Sequence, residues 1–339
     1  MARHKIKIGI PYALYFYQYF PLWKEFLTRL GAEVILSKAT NKEILDAGIR
    51  SSLSEVCLPV KIFYGHVLSL KDQVDYLLIP RMVCVEKGAY FCPKIIGLPD
   101  MVKSSIHSLC PLLNPTIDVR QSSLSWRNTF FKIGRLITDN SAEISHSFML
   151  SWHHFQQDYL RGLWDNPARI SSLPERQKNA SSLSEGNGNQ TDRIQIAVLG
   201  HNYLVDDPYV NLDIVQKLKK MNVNILTTEM IGMKTIKRQL KKLYKPVYWS
   251  LSRRVVGAAF YYFEQQIEGM IHLSSFECGE DSMVGELIHH QSQYHPDVAY
   301  TEFVFDEHTG AAGINTRLEA FLDMIRRKKR YENSFAPSR

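Results

Sequence analysis

The sequence is poor in cysteine and contains no long apolar run. Its 339 residues include five cysteines, Cys57, Cys84, Cys92, Cys110 and Cys278. Five is a small and odd number of cysteines for a chain of this length, which argues against the disulfide framework of small secreted proteins. No apolar stretch approaches the roughly 18 residues that a membrane-spanning helix needs, and no small-residue cleavage site follows the basic N-terminus. We therefore expect a cytoplasmic protein that does not associate with a membrane.

Several familiar catalytic motifs are also missing from the sequence. It contains no GxxxxGK[ST] or GxGxxG loop, so it offers no standard cradle for nucleotide phosphates. The HExxH pattern and paired CxxC motifs of common zinc sites do not occur either. No GxSxG elbow is present for a serine hydrolase. Nucleotide hydrolysis, zinc proteolysis and serine hydrolysis by this chain are therefore not expected.

The net charge of +7 is concentrated in two basic stretches, "KRQLKKLYK" at 237–245 and "RRKKR" at 326–330. Aromatic residues are not interleaved with these charges as a base-stacking surface would require, so we do not expect a nucleic-acid partner. Solvated helix faces explain both stretches. A basic surface would also suit a polyanionic ligand such as a CoA ester, or an acidic redox partner.

Short apolar segments alternate with amphipathic ones along most of the chain. This pattern predicts an α/β protein with two Rossmann-like (flavodoxin-like) parallel-sheet domains and an interdomain cleft. We place the first domain at 1–165, a flexible polar linker at 171–193 and the second domain at 194–339. The predicted strands are 6–11, 32–37, 74–80, 194–200, 223–229, 267–276 and 298–306. Thr40 and Glu43 are predicted to form a capping box at the start of a helix.

Three cysteines, Cys57, Cys92 and Cys278, lie where a predicted strand ends or a helix begins. Ligands of open parallel sheets bind at the carboxyl ends of strands, and thiolates are favoured near helix N-termini. Each cysteine taken alone is better explained as a small buried thiol, and only their shared placement at element junctions favours a ligand role. Three thiolates from two domains would suit an iron–sulfur cluster in the cleft. Such a set would leave one iron open to substrate, water or a fourth protein ligand.

Several ordered segments resemble a known family, the acyl-CoA dehydratase activase-related proteins. These proteins are relatives of the iron–sulfur subunits of 2-hydroxyacyl-CoA dehydratases and of double-cubane cluster proteins. The likeness covers nearly the whole chain apart from about 120–192. It is carried by "IGIPYALYFYQYFPLWKEFLTRLGAEVILSKATNKEIL", "CLPVKIFYGHV", "IPRMVCVEKGAYFCPKIIGLPD", "HNYLVDDPYVNLDIVQKLK", "SSFECGEDSMVGELI" and "DEHTGAAGINTRLEAF".

This resemblance implies an iron–sulfur cluster, [4Fe-4S] or larger, bound between the two domains. Cys57, Cys92 and Cys278 match the order of the three cysteine ligands in the dehydratase subunits, at intervals of 35 and 186 positions. Cys84 and Cys110 are then structural. The implied partner is an ATP-hydrolysing activase that donates a low-potential electron. By analogy the protein is expected to form a homodimer or a heterodimer, and its substrate to be a CoA ester or another small molecule.

Two departures from the family pattern keep a second interpretation open. Tyr12 replaces an arginine expected in "GIPRAL", and Ala311 replaces an acid expected in "TGEAG". The protein is therefore either a redox enzyme that dehydrates or reduces a small substrate, or a non-catalytic scaffold or regulatory subunit that binds a cluster or ligand. A third reading, a small-molecule binder without metal, treats every cysteine as part of the core.

The remaining candidate residues surround the same strand ends. His308 is predicted to act as an acid or base at the cleft, or only to cap the loop that follows it. Ser275 is predicted to donate a hydrogen bond to a cluster sulfide or a ligand. His201 and Tyr203 follow the first strand of the second domain and are expected to line the cleft. Asp281 is expected to cap the helix after Cys278.

Overall fold

The computed structural model describes residues 5–161 and 193–335. In the first unit the strands are β1 (Lys7–Ile10), β2 (Glu33–Leu36), β3 (Tyr76–Leu78), β4 (Arg81–Cys84), β5 (Leu112–Leu113) and β6 (Thr116–Asp118). Its helices are α1 (Phe16–Arg29), α2 (Lys42–Ser51), α3 (Leu58–Leu70), α4 (Pro93–Ile96), α5 (Leu98–Ser105), α6 (Ser125–Gly134) and α7 (Ser141–Arg161).

The second unit repeats the alternation of strand and helix. Its strands are β7 (Ile194–Gly200), β8 (Val223–Thr227), β9 (Gly269–Ser275) and β10 (Ala299–Phe305). Its helices are α8 (Asn202–Val205), α9 (Ile214–Lys220), α10 (Met233–Leu240), α11 (Ser250–Phe263), α12 (Gly279–Ser292) and α13 (Ala311–Phe335), with a short 3₁₀ turn at Thr228–Met230.

The two units have main sheets of the same topology. The first sheet has the order β2-β1-β3-β5 and the second the order β8-β7-β9-β10, and all neighbouring strands in both are parallel. Counted within its own unit, each sheet therefore has the strand order 2-1-3-4. This confirms the predicted α/β class with two Rossmann-like domains. A separate pair, β4 and β6, lies outside the main sheets.

Each predicted strand forms within a few residues of the expected bounds. The predicted capping box is wrong in one detail: α2 is capped by Asn41, whose Oδ1 accepts from the Ile44 amide at 3.0 Å. The Thr40 side chain instead makes contacts between the two units. The predicted linker at 171–193 lies outside the described residues except for Arg193, and the domain bounds stay a prediction.

The larger of two apolar core clusters in the described residues extends across both units. It includes Ile8 and Phe63 from the first unit together with Ile196 and Phe303 from the second. Burial of this shared apolar surface is the main force that holds the units together. Within residues 5–161 and 193–335, no helix has the length and apolarity needed to cross a membrane.

Helices α2 and α3 approach each other through two glycines. A Cβ atom on Gly48 would lie 1.9 Å from the Lys61 carbonyl oxygen, and one on Gly65 would lie 1.8 Å from the Ile44 carbonyl oxygen. Any larger residue at either position would collide with backbone. This contact fixes α3, and therefore the residue that precedes it, Cys57.

Candidate functional site

The three cysteines singled out in the sequence each stand at the N-cap of a helix. Cys57 precedes α3, Cys92 precedes α4 and Cys278 precedes α12. Proline occupies the first turn of α3 and α4, where its missing amide costs no hydrogen bond. The Ile95 amide donates to Cys92 Sγ at 3.4 Å. Free amides and the helix dipole favour the ionised form of a thiol at such a position.

These three cysteines line a single pocket between the two units. Cys57 and Cys92 come from the first unit, and Cys278 follows β9, one of the two central strands of the second sheet. The other lining residues are Leu14, Val60, Phe91, Ile95, Tyr203, Leu251 and Glu280. The pocket therefore lies at the carboxyl end of the second sheet, where a ligand of an open parallel sheet is expected.

Two of the thiols, Cys57 and Cys278, are in direct contact across the interface. The hydrogen bond from Cys278 lowers the pKa of Cys57, and the same bond raises the pKa of Cys278 because losing its proton would break the bond. Burial, reinforced by the charge of Glu280, raises the pKa of Cys92 to about 12. Cys57 is therefore the thiol of this pocket that loses its proton most readily.

A buried polar cluster lies behind the pocket in the second unit. His201 Nδ1 is 2.6 Å from the Tyr203 hydroxyl and 3.2 Å from Asp281 Oδ1. The Ser275 amide donates to Asp281 Oδ2 at 2.9 Å. Burial lowers the pKa of His201 and raises the pKa of Tyr203 well above 10. Both rings are therefore neutral at physiological pH, and Tyr203 presents a protonated phenol to the pocket.

Glu280 connects this cluster to the thiols. It is a buried residue in the first turn of α12, and its Oε2 accepts from Ser252 Oγ at 2.8 Å. Its Oε1 has no hydrogen-bond partner among the described residues. Burial raises the pKa of Glu280 to about 7. The pocket therefore holds one carboxyl group beside three sulfur atoms.

Charged side chains close the rim of the pocket across the interface. Lys61, one turn into α3, is buried, and its Nζ lies 2.6 Å from Glu307 Oε1 of the second unit. Lys94 Nζ donates to the Glu55 carbonyl at 2.7 Å and to the Glu277 carbonyl at 3.5 Å. The Lys61 contact holds α3, and so Cys57, against the turn after β10, and the Lys94 contact holds α4, and so Cys92, near the loop that carries Cys278.

A second polar cluster crosses the interface at the carboxyl end of β2. Tyr12 N donates to Ser37 Oγ at 2.9 Å, and Ser37 Oγ lies 2.8 Å from His66 Nδ1. His66 Nε2 is 3.1 Å from Thr40 Oγ1, which donates in turn to Asp207 Oδ2 of the second unit. Because the Thr40 hydroxyl donates to Asp207, its oxygen is left to accept from Nε2–H. Burial lowers the pKa of His66 to about 3, so the ring is neutral and its Nδ1 accepts from the Ser37 hydroxyl.

Residues 7–231 match the family model described as "CoA enzyme activase uncharacterised domain (DUF2229)". This range is more than half of the 339 residues. The chain belongs to this family. The match confirms the predicted relation to the acyl-CoA dehydratase activase family at this level. The matched range contains Cys57 and Cys92 and ends before Cys278.

Two further comparisons add no functional information on this CoA enzyme activase-domain protein. A glutamate racemase, isoform RacE1 from Bacillus anthracis, aligns over 94% of this chain and 83% of its own, with 9% identity and a TM-score of 0.21. A likeness at that level supports no inference. No curated protein matches the chain.

Of the remaining candidate residues of this family member, some lie at the pocket and others do not line it. Tyr203 lines the pocket as predicted, and His201 lies directly behind it. Ser275 is buried beside the pocket, where its Oγ donates to the Phe276 carbonyl at 3.2 Å. His308 is exposed in the turn after β10. Neither Ser275 nor His308 is among the lining residues, and the catalytic role proposed for each stays a prediction.

The expectation that Asp281 caps α12 is wrong. The helix begins earlier than expected, at Gly279 with Cys278 as its N-cap, so Asp281 lies within the first turn. Its side chain is buried and faces His201 and the Ser275 amide. Asp281 therefore braces the strand end against the helix rather than satisfying free helix amides.

Several pocket residues were missed by sequence reasoning. Phe91, Leu251 and Glu280 line the pocket but belong to no recognisable motif. Leu14 is in the left-handed region with a φ of 53°, which no pattern in "IPYALYF" predicts. Cys84 is fully buried and donates to the Glu86 carbonyl at 3.0 Å, away from the pocket, as expected of a structural thiol.

The residues that line the pocket decide whether it could bind a metal ion or a cluster. In the described parts of the chain, no three histidine, cysteine or acidic side chains are arranged around one ion position. Each cysteine of a cluster binds a different iron, so cluster ligands need not converge on a single point. The pocket offers three thiols, an apolar wall and a carboxyl oxygen that has no partner among the described residues. This set is chemically compatible with an iron–sulfur cluster.

Proposed function

We propose that this protein binds an iron–sulfur cluster through Cys57, Cys92 and Cys278. In this proposal it accepts a low-potential electron from an ATP-hydrolysing activase and uses it for radical dehydration or reduction of a small substrate such as a CoA ester. The observation that supports it best is the convergence of the three thiols on one pocket between the two units. The family match supports the link to an activase system.

The three thiols of the pocket are better explained as ligands of an iron–sulfur cluster than as parts of an ordinary apolar core. Sulfur ligands select iron–sulfur clusters over magnesium or calcium. Each thiol stands at a helix N-terminus, which favours the thiolate that a metal ligand must be. A bound cluster would stabilise all three thiolates, whereas without a cation the pocket lowers the pKa of Cys57 alone and raises those of Cys92 and Cys278.

The protein's own residues would bind and shield the group. Leu14, Phe91 and Leu251 supply apolar walls that keep water from the sulfur atoms. The Lys61–Glu307 pair holds the two units together at the rim. When bound, the cluster would supply one-electron transfer to a substrate. Exclusion of water by the walls would protect a radical from side reactions.

Anaerobic reconstitution tests this proposal. The purified protein is loaded with iron and sulfide without oxygen, and iron, acid-labile sulfide and the visible spectrum are measured. We expect Cys57→Ser, Cys92→Ser and Cys278→Ser each to abolish stable cluster binding. Cys84→Ser, which removes a buried thiol outside the pocket, is the matched control and should keep the cluster. A wild-type protein that takes up no iron and sulfide would refute the proposal.

The electron-transfer part has its own test. The loaded protein is mixed with a candidate activase and ATP, and its reduction is followed in the visible spectrum and by electron paramagnetic resonance. We expect reduction that requires ATP. A cluster that stays oxidised with an activase shown to be active on another acceptor would contradict the redox role.

A scaffold or regulatory role is the second candidate, and the two departures from the family pattern favour it. Tyr12, in place of the expected arginine, is buried against Phe16 with 4.3 Å between the ring centroids. Ala311, in place of the expected acid, is exposed at the start of α13. Neither residue can supply the lost charge. A stable cluster that no activase reduces would favour this role.

A further inference from the structure

Among the described residues that line the pocket, Glu280 alone can offer an anionic ligand atom besides the cysteines. Leu14, Val60, Phe91, Ile95 and Leu251 are apolar. Tyr203 has its hydroxyl engaged by His201 at 2.6 Å, and burial keeps the phenol protonated. The three thiols and the Glu280 carboxylate therefore make up the anionic donor set of the pocket.

Among the described residues, one carboxyl oxygen of Glu280 has a hydrogen-bond partner and the other has none. Oε2 accepts from Ser252 Oγ at 2.8 Å, which fixes the plane of the group. Oε1 is fully buried and has no partner among the described residues. The residue as a whole is only 7% exposed. Buried polar atoms almost always have a partner, so Oε1 is expected to bind what enters the pocket.

The position of Glu280 on its helix brings it to the same group as Cys278. Cys278 is the N-cap of α12, and Glu280 follows two residues later in the first turn. Glu280 is also close to the thiols of the other unit, because Cys57 and Cys92 line the same small pocket. Burying a carboxylate beside thiolates is costly unless a cation neutralises them. Iron at this position removes that cost.

We propose that Glu280 is a fourth protein ligand, whose Oε1 binds the iron that Cys57, Cys92 and Cys278 leave without a thiolate. This inference rests on the proposed function. It assigns the position that would otherwise be held by water. A carboxylate is a harder donor than a thiolate, so the iron it binds is the most easily removed one. Ser252 is a positioning residue because it orients the carboxylate without contacting the iron.

Iron retention in a matched pair of variants is the first test. Glu280→Gln keeps the size of the side chain and removes the anionic oxygen, while Glu286→Gln changes an exposed glutamate on the same helix. After anaerobic loading, we expect a chelator to remove iron from E280Q about tenfold faster than from the wild type. E286Q should lose iron at the wild-type rate. A loaded E280Q with the wild-type rate of loss would overturn the inference.

A measurement on the unmodified protein is the second test. Electron–nuclear double resonance of the reduced, loaded protein in water enriched in oxygen-17 reports whether water is bound to iron. We expect no oxygen-17 coupling in the wild type and a clear coupling in E280Q. A strong coupling in the wild type would show water at that iron and overturn the inference. If E280Q fails to fold or load, this wild-type spectrum decides alone.

The two tests distinguish failure of the inference from failure of the proposed function. A wild type that binds no iron and sulfide refutes both. A wild type that loads normally but shows bound water, or retains iron no better than E280Q, refutes only the role of Glu280.

Discussion

At the scale of single residues, Cys57 and Cys278 show how a shared proton couples the two units. Their thiols form a hydrogen bond across the interface, so ionisation of Cys57 strengthens the bond and ionisation of Cys278 breaks it. Cys57 is therefore the nucleophilic partner, since the thiolate is the reactive form. The third thiol, Cys92, stays protonated because burial raises its pKa to about 12.

This contact predicts the outcome of oxidation of the metal-free protein. Treatment with diamide, which takes two electrons and two protons from a pair of thiols, should join Cys57 to Cys278 rather than to Cys92. Peptide mapping by mass spectrometry identifies the linked pair. Loading with iron and sulfide should fail until the bond is reduced. A dominant Cys57–Cys92 link would contradict the geometry, and Cys278→Ser is the control that should leave Cys57 free.

His66 predicts a specific dependence of stability on pH. Its pKa is about 3 in the folded protein, lowered by burial, against about 6.5 in an unfolded chain. Between these values the unfolded state binds a proton that the folded state does not, so stability falls as pH falls. The contribution is complete above about pH 6.5 and is lost at about 1.4 kcal/mol per pH unit below it.

Urea unfolding between pH 4 and pH 7 measures this effect. His66→Gln removes the titrating group, so the free energy of unfolding should depend less steeply on pH than in the wild type, whatever the variant's stability at neutral pH. His290→Gln, at an exposed position of α12, should keep the wild-type slope. Equal slopes for H66Q and the wild type would contradict a neutral buried His66.

At the scale of elements, the site depends on where helices begin. Cys57, Cys92 and Cys278 owe their shared placement to three helix starts, so a shift of any helix moves a thiol. Helix α3 is the most constrained of the three, because Gly48 and Gly65 let it lie directly on α2. The contact residues are glycines because a Cβ atom would overlap a carbonyl oxygen.

Gly65→Ala tests this constraint. The added methyl group must push α2 and α3 apart, and overpacking of this kind costs about 1–3 kcal/mol of folding stability. Gly313→Ala is the matched control, since nothing lies within 4 Å of its Cβ position in α13, and it should be neutral or stabilising by up to about 1 kcal/mol. Thermal unfolding measures both. A G65A protein as stable as the wild type would contradict the close packing.

The elements also show what the sequence could and could not predict. Strands such as β7 and β9 are predictable because they are short, mainly apolar runs between turn signals. The two-residue strand β5 has no periodicity to detect. The start of α12 was misplaced because Asp281 is a better capping residue than Cys278 on propensity alone, and burial against His201 decides otherwise. Helix starts at Cys57 and Cys92 were predictable from the prolines that follow them.

At the scale of the whole molecule, contacts between distant segments build both the interface and the site. Thr40 and Asp207, which share a hydrogen bond, are 167 positions apart, and Lys61 and Glu307 are 246 apart. No local pattern predicts such pairs. The resemblance to a family predicted that the three cysteines act together, but the Glu280–Ser252 contact and the His66 cluster were visible only in the folded chain.

The Lys61–Glu307 pair predicts a strong effect on overall stability. Lys61→Met leaves the partly buried Glu307 without its cation at the interface, and loss of such a charged hydrogen-bond partner costs about 1–3 kcal/mol. Lys42→Met, which removes an exposed pair with Asp46, should cost less than about 1 kcal/mol. Urea unfolding measures both. A double-mutant cycle with Glu307→Gln isolates the coupling, and a coupling near zero would contradict the role assigned to the pair.

The distance in sequence between the thiols has a consequence for synthesis. Cys57 and Cys92 leave the ribosome early, while Cys278 follows 186 positions after Cys92. At translation rates of about 5–20 residues per second, the growing chain carries an incomplete site for roughly 10–40 s. The first two thiols are therefore open to oxidants, or to the wrong metal, throughout that interval. For the cluster proposed above, delivery of iron and sulfide would be useful only after β9 has joined its sheet and Cys278 is in place.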